Sequence, residues 1–89
     1  MKKIKVTKIS DTKFEVMVNT GTTTTHIVSL TTDYYKKLTS GKVSRETLIE
    51  KSFEFLLERE PNTSILRSFD LPVICRYFSE YEGKIKFAF

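Results

Sequence analysis

The chain has 89 residues, 39% of them hydrophobic and 29% charged, and a formal net charge of +4 at pH 7, which predicts one small globular domain over residues 1–89. A domain of this size has little room for both a core and a deep ligand pocket, and its apolar runs are far shorter than the roughly 20 residues of a membrane span. The single cysteine, Cys75, excludes an internal disulfide. With no apolar leader after Met1, we expect a cytoplasmic protein.

The first third of the chain alternates apolar and polar residues, which is typical of strands with one buried face. Ile4 and Val6 alternate with lysines, and a second alternating run covers residues 13–19. The turn residues 19–21 then lead into residues 22–30, which are β-branched almost throughout. This pattern predicts a three-stranded antiparallel meander.

Two helices are predicted next. Residues 33–38 form a short helix, and Gly41 supplies a left-handed C-terminal cap. Ser44 caps the principal helix, which we expect to end at about Arg59. Its apolar positions cover about 200° of arc, twice what a surface helix needs, so it packs on two sides. Ser52 lies within this arc, where its hydroxyl can bond back to the preceding turn.

Pro61 ends the principal helix, because a proline disfavours helical backbone angles in the residue before it. The sequence then predicts a helix of one to two turns that begins at Asn62 or Thr63. In this helix Leu66 and Phe69 point inward, together with Ile65.

The last predicted helix is capped by Asp70 and is apolar nearly all round. Val73 and Tyr77 lie almost opposite its main apolar face. Because a helix of this kind is buried, we expect a partner chain to cover the second face. The tail, residues 84–89, alternates again and predicts either a fourth strand or a disordered end.

Three blocks carry a resemblance to a known family: SFEFLLEREP, then SILRSFDL, then RYF followed by EYE, all between residues 52 and 82. This pattern resembles a small family of uncharacterised prokaryotic proteins, and the likeness extends over most of the chain. It implies a compact cytosolic domain with no assigned activity, so no functional residue carries over. Ser79 stands where the family pattern often has proline, which implies a looser turn after Phe78.

We predict no enzyme activity, cofactor, metal or small-molecule substrate, because the reactive residues do not cluster. His26 is the single histidine, whereas metal sites need three or four ligands, and we expect it to be partly exposed on the third strand. Cys75 lies on an apolar helix face without a neighbouring base, so we expect it to pack. Arg59 is expected to stabilise the end of the principal helix, with an interface salt bridge as the alternative.

Lysines are concentrated near the N-terminus, and we expect them to form a solvated strand face that blocks edge-to-edge pairing. The alternative is a strip that contacts a polyanion such as nucleic acid. The candidates for this contact are Lys3, Lys5 and Lys8.

The sequence therefore predicts an α+β fold in which the meander, with a possible fourth C-terminal strand, packs on a C-terminal bundle of about four helices. No motif indicates a function. The favoured hypothesis is a small non-enzymatic protein-interaction module that forms a homodimer or binds another protein, without membrane contact. The alternative is a nucleic-acid-associated protein or regulator that uses the basic strand face. The interface candidates are Val73, Tyr77, Phe87 and Phe89.

Overall fold

The structure is a computed structural model that describes residues 3–87. Its sheet has four strands in the spatial order β1-β2-β3-β4, and the first three pair antiparallel with their neighbours in the chain. The fourth strand pairs parallel with β3. The strands are β1 (Ile4–Ser10), β2 (Lys13–Asn19), β3 (Thr23–Ser29) and β4 (Ser68–Asp70). The predicted α+β fold and its three-stranded meander are confirmed.

Four α-helices and two 3₁₀ turns complete the described residues. The helices are α1 (Thr32–Thr39), α2 (Arg45–Leu57), α3 (Ile74–Tyr77) and α4 (Tyr81–Lys86), and the 3₁₀ turns are Asn62–Ser64 and Leu71–Val73. Ser44 caps α2 as predicted, since its hydroxyl accepts a hydrogen bond from the Thr47 amide at 3.1 Å. The left-handed cap of α1 is Ser40 (φ 54°), and Gly41 after it is also left-handed (φ 75°).

The core lies between one face of the sheet and the helices. Alternate strand residues point into it, including Phe14, Val16 and Val18 of β2, which are fully buried. The strand residues of opposite phase are exposed or only partly buried, as Met17 illustrates. All helices therefore pack on the same face of the sheet, and the other face is open.

The principal helix packs on two sides, as its wide apolar arc predicts. Phe53 and its neighbours face the sheet, while Phe55 contacts Tyr81 of α4, with the ring centroids 5.3 Å apart. The Ser52 hydroxyl bonds back to the Leu48 carbonyl at 2.8 Å, which confirms the prediction for this residue, and it also lies 2.6 Å from the Tyr81 hydroxyl. Ser52 thus joins α2 to α4 through a buried hydrogen bond.

The fourth strand does not come from the tail. Residues 81–86 form α4, because Tyr81 and Ile85, one helical turn apart, are both buried in the core. Burial at the helical spacing outweighs the short alternating pattern of the tail. Of its aromatic residues, Phe87 is 92% exposed, and Phe89 lies outside the described residues.

The helix predicted after Pro61 is also wrong, since a 3₁₀ turn and β4 take its place. The Asn62 side-chain amide donates to the Thr22 carbonyl at 2.7 Å and to the Val18 carbonyl at 3.3 Å. These bonds fix the turn against the β2–β3 hairpin, so the chain leaves it extended along β3. Leu66, predicted to point inward, is 46% exposed.

Candidate interaction site

An apolar groove lies on the side of the molecule where α2 ends. It encloses about 130 Å³. Its walls come from three parts of the chain. They are residues 56–60 at the end of α2, residues 64–69 from the first 3₁₀ turn to β4, and residues 73–78 around α3. The groove is lined by Leu56, Glu60, Ser64, Ile65, Leu66, Phe69, Val73, Ile74, Tyr77 and Phe78.

One wall is made by α3 and the residues next to it. Val73 and Tyr77 are one helical turn apart, and so are Ile74 and Phe78, so these four side chains form a continuous stripe. Ile74 is buried at the base of the stripe, whereas Tyr77 is 67% exposed at its rim. The two interface candidates predicted on this helix, Val73 and Tyr77, are thus brought together in the groove.

The opposite wall is held by a buried histidine. His26 is fully buried, so the prediction that it is partly exposed is wrong. Its Nδ1 lies 2.7 Å from the Leu66 carbonyl oxygen, which can only accept, so Nδ1 carries the proton. Nε2 then accepts a hydrogen bond from the Thr24 hydroxyl at 2.8 Å. His26 therefore ties the Leu66 backbone, and with it this wall of the groove, to β3.

Burial determines the charge of His26. It lowers the pKa of the imidazole from its ordinary value of 6.5, and a hydrogen bond to Leu66 opposes this effect only incompletely. The ring also packs against Phe53, with the centroids 5.4 Å apart. A neutral imidazole with both nitrogens hydrogen-bonded supports the fold and connects this wall of the groove to β3.

Glu60 supplies the only formal charge among the lining residues. Partial burial raises the pKa of its carboxyl group. Among residues 3–87, the ion pairs join other side chains and leave the Glu60 carboxylate without a cationic partner. The groove is therefore apolar, with one carboxylate on its wall that a cation could neutralise.

The volume of the groove decides which ligands fit. Small-molecule sites usually enclose about 300–1,000 Å³, more than twice the space in this groove. A dry apolar cavity of about 150 Å³ is large enough for benzene. The groove therefore fits a single aromatic or aliphatic side chain, which is the size of an anchor residue in a protein interface.

The remaining interface candidate among the described residues lies elsewhere. Phe87 follows the C-terminal end of α4, does not line the groove and is almost fully exposed. Lys86 before it lines a surface depression together with Lys37 and Lys42 at the end of α1. The predicted interface residues thus form two separate surfaces, an apolar groove and a tip with a phenylalanine beside a lysine.

The lysine candidates do not share one face. Lys5 lies on the open face of β1, the strand at the edge of the sheet. Lys8 has the phase of the core-facing residues, since it pairs with Phe14 in the register, and its ammonium lies 3.0 Å from the Asp11 carboxylate. Lys3 is exposed. Contact between these lysines and nucleic acid stays a prediction.

Cys75 lies in a small polar cluster at the junction of α1, α3 and α4. Its sulfur is 3.8 Å from the Tyr34 hydroxyl, which donates to the Glu82 carboxylate at 2.9 Å. Burial raises the pKa of the Cys75 thiol, so the thiol is a weak nucleophile at neutral pH. Lys37 also pairs with Glu82, at 3.4 Å. This cluster joins the helices to one another, in agreement with the packing role predicted for Cys75.

Arg59 has the predicted structural role. Its Nη1 donates to the Phe55 carbonyl at 3.0 Å, near the end of α2, and its guanidinium lies 3.7 Å from the centre of the Phe55 ring. Its Nε donates to Glu80 at 3.3 Å. These contacts connect the end of α2, beside the groove, to the start of α4.

Residues 3–87 contain neither a cluster of metal ligands nor a membrane-spanning helix. Between residues 3 and 87, no group of three or more His, Cys, Asp or Glu side chains is placed to hold a metal ion. Over the same residues, each helix is too short or too polar to cross a lipid bilayer. Comparisons with family models, curated proteins and solved structures find no match to this chain. The resemblance of residues 52–82 to a prokaryotic family stays a prediction.

Proposed function

We propose that this chain is a small non-enzymatic protein-interaction module that forms a homodimer, with the apolar groove as its docking site. One observation carries the proposal: an open apolar groove, of a size for one side chain, has Leu66 and Tyr77 exposed at its rim. In protein interfaces, a few apolar or aromatic anchors that fill such pockets supply most of the affinity.

Hydrogen bonds also hold the walls of the groove in the unbound chain. His26 and Asn62 hold the wall that contains Leu66, and Arg59 fixes the end of α2. A surface whose side chains and backbone are already ordered loses less conformational entropy on association. This rigidity favours a docking role over that of a loose surface patch.

The experiment is sedimentation equilibrium at tens of micromolar, with Leu66→Asp as the groove variant. A carboxylate at the groove rim would have to be desolvated on docking, so we expect the dimer to dissociate at least tenfold more readily. Because Leu66 is 46% exposed, the monomer should keep its fold, and circular dichroism checks this.

Ile9→Asp is the matched control, since Ile9 is 54% exposed near the end of β1 and does not line the groove. It adds the same charge at an apolar surface position away from the groove, and association should be unchanged. A strictly monomeric wild-type chain would contradict the homodimer. A Leu66→Asp variant that associates like the wild type would show that the groove is not the docking site.

A further inference from the structure

We infer that the occupant of the groove is the tip of α4 from a second copy of this chain, with Phe87 in the groove and Lys86 beside Glu60. The inference rests on the proposed function, because it names the segment that docks in the groove. It depends on three observations: the size of the groove, the exposure of Phe87 and the opposite charges of two side chains.

The first two observations concern shape. The groove has room for one ring, and Phe87 is a ring with 92% of its surface exposed to solvent. A large apolar side chain so exposed at the end of a helix is a marker of an interaction surface when a matching pocket exists. Complete burial of a phenylalanine side chain contributes about 10- to 100-fold in affinity.

The third observation concerns charge. Glu60 is the carboxylate on the groove wall, and Lys86 is the residue before Phe87. Lys86 lies near Lys37 and Lys42. Lys37 pairs with Glu82, whereas none of the ion pairs among residues 3–87 involves Lys86, which leaves its ammonium available for an acidic side chain of another molecule. If Phe87 enters the groove, the lysine next to it lies within reach of its wall. The pair would thus select both the segment and its direction.

Phe87 does not fill the groove of its own molecule, since it is 92% exposed and is not among the lining residues. Tyr81 and Ile85, both buried, anchor α4 in the core. The groove and the tip are therefore separate surfaces of one chain. When two copies exchange tips reciprocally, each groove is filled by the other copy, and the result is a closed two-fold dimer with two identical contacts.

The test is a set of four variants measured by sedimentation equilibrium: Phe87→Ala, Glu60→Lys, Lys86→Glu and the double variant with both charge reversals. Phe87→Ala should weaken the dimer at least tenfold. Each single charge reversal places like charges together and should weaken it about three- to tenfold. The double variant restores an opposite pair, so its affinity should return to within about twofold of the wild type.

Lys13→Glu is the matched control, because it reverses an exposed lysine of β2 that lines neither the groove nor the depression beside Lys86. It should leave association unchanged. Circular dichroism of each variant at a concentration below association separates a lost contact from a lost fold. Since Phe87 and Lys86 are exposed, their variants should remain folded.

The outcomes separate the two proposals. If Leu66→Asp dissociates the dimer but Phe87→Ala and Lys86→Glu do not, another segment docks in the groove; the inference is overturned and the proposed function stands. If both single charge reversals weaken the dimer and the double variant does not recover, the Glu60–Lys86 pair is wrong and the inference fails. If neither groove nor tip variants change association, both proposals fail.

Discussion

The N-terminal region of this chain, residues 3–57, and its C-terminal region, residues 58–87, reach their structures in different ways. In the N-terminal region each strand pairs with its neighbour in the chain, and the cap Ser44 begins α2 where the local sequence indicates. The C-terminal region has two 3₁₀ turns, a three-residue strand and two short helices. They are joined to the N-terminal region by the pairing of β4 with β3 and by side-chain hydrogen bonds such as that of Asn62. The groove is built largely in the C-terminal region, so the position of its walls depends on long-range contacts.

The largest predicted effect disrupts both regions together. Phe53 is fully buried on α2, and its ring packs against His26 of the meander and Phe69 of β4, at centroid distances of 5.4 and 6.0 Å. Phe53→Ala leaves a cavity between them and should lower the free energy of unfolding by about 3–5 kcal/mol, measured by urea denaturation.

Ile9→Ala serves as the control for this cavity effect. Ile9 is 54% exposed, so the same kind of truncation should change the free energy of unfolding by less than about 0.5 kcal/mol. A Phe53→Ala variant that loses less than about 1 kcal/mol would show that the two regions are not joined through this ring.

A smaller loss of stability should affect the C-terminal region more than the N-terminal region. Asn62→Ala removes the donor to the Thr22 carbonyl and to the buried Val18 carbonyl, which costs about 1–3 kcal/mol. Because Asn62 fixes the turn before β4, amide hydrogen exchange should accelerate at Phe69 and its neighbours more than in β1 and β2.

Thr63→Ala is the matched control, since Thr63 is the exposed neighbour of Asn62, and its exchange pattern should equal that of the wild type. Uniform acceleration through the sheet and α2 in Asn62→Ala would mean that the chain opens as one cooperative unit, against the division into two regions.

The smallest predicted effect depends on pH and sharpens the role of His26. Its pKa is lowered in the folded state, so the unfolded chain takes up the proton first as pH falls below 6.5. Stability should therefore decrease on acidification in that range, by no more than about 1.4 kcal/mol per pH unit for one proton. Urea denaturation at a series of pH values measures the slope.

His26→Asn removes the titrating group and should flatten this slope, although the variant will be less stable at every pH. The acidic groups act in a separate range: the pKa values of Glu80 and Glu82 are lowered from 4.5, so their contribution to stability is lost only below that pH. An equal slope near pH 6 in the wild type and the variant would contradict a neutral, supporting His26.

The sequence predicted helices and strands correctly where apolar residues recur often enough to show the spacing of a strand or a helix. The alternation of Phe14, Val16 and Val18 gave the bounds of β2, and the apolar arc around Ser52 predicted a helix packed on two sides. Val73 and Tyr77 were chosen as interface candidates because they lie off the main apolar face of the predicted helix; both line the groove, and their part in an interface stays a prediction. Each of these results follows from residues close together in the chain.

The rest depended on residues far apart. The bond from His26 to Leu66 joins positions 40 residues apart. The residues around Leu66 in the sequence do not indicate whether its side chain points inward from a helix or lies exposed on a groove wall. The sequence around Glu60 indicated only that it precedes a proline, and nothing in it predicted that the Glu60 carboxylate would line a groove. In the tail, alternation competed with the one-turn spacing of Tyr81 and Ile85, and only the packing against α2 decides between them.

The parallel pairing of β4 with β3 has a consequence for the order of events during folding. It aligns Ser68 with Ile27, so about forty residues must be enclosed before the fourth strand exists, whereas each hairpin of the meander closes a turn of a few residues. We expect the hairpins to assemble early and the groove late. A chain still being synthesised could not form the complete groove until the ribosome has released it well beyond Phe78.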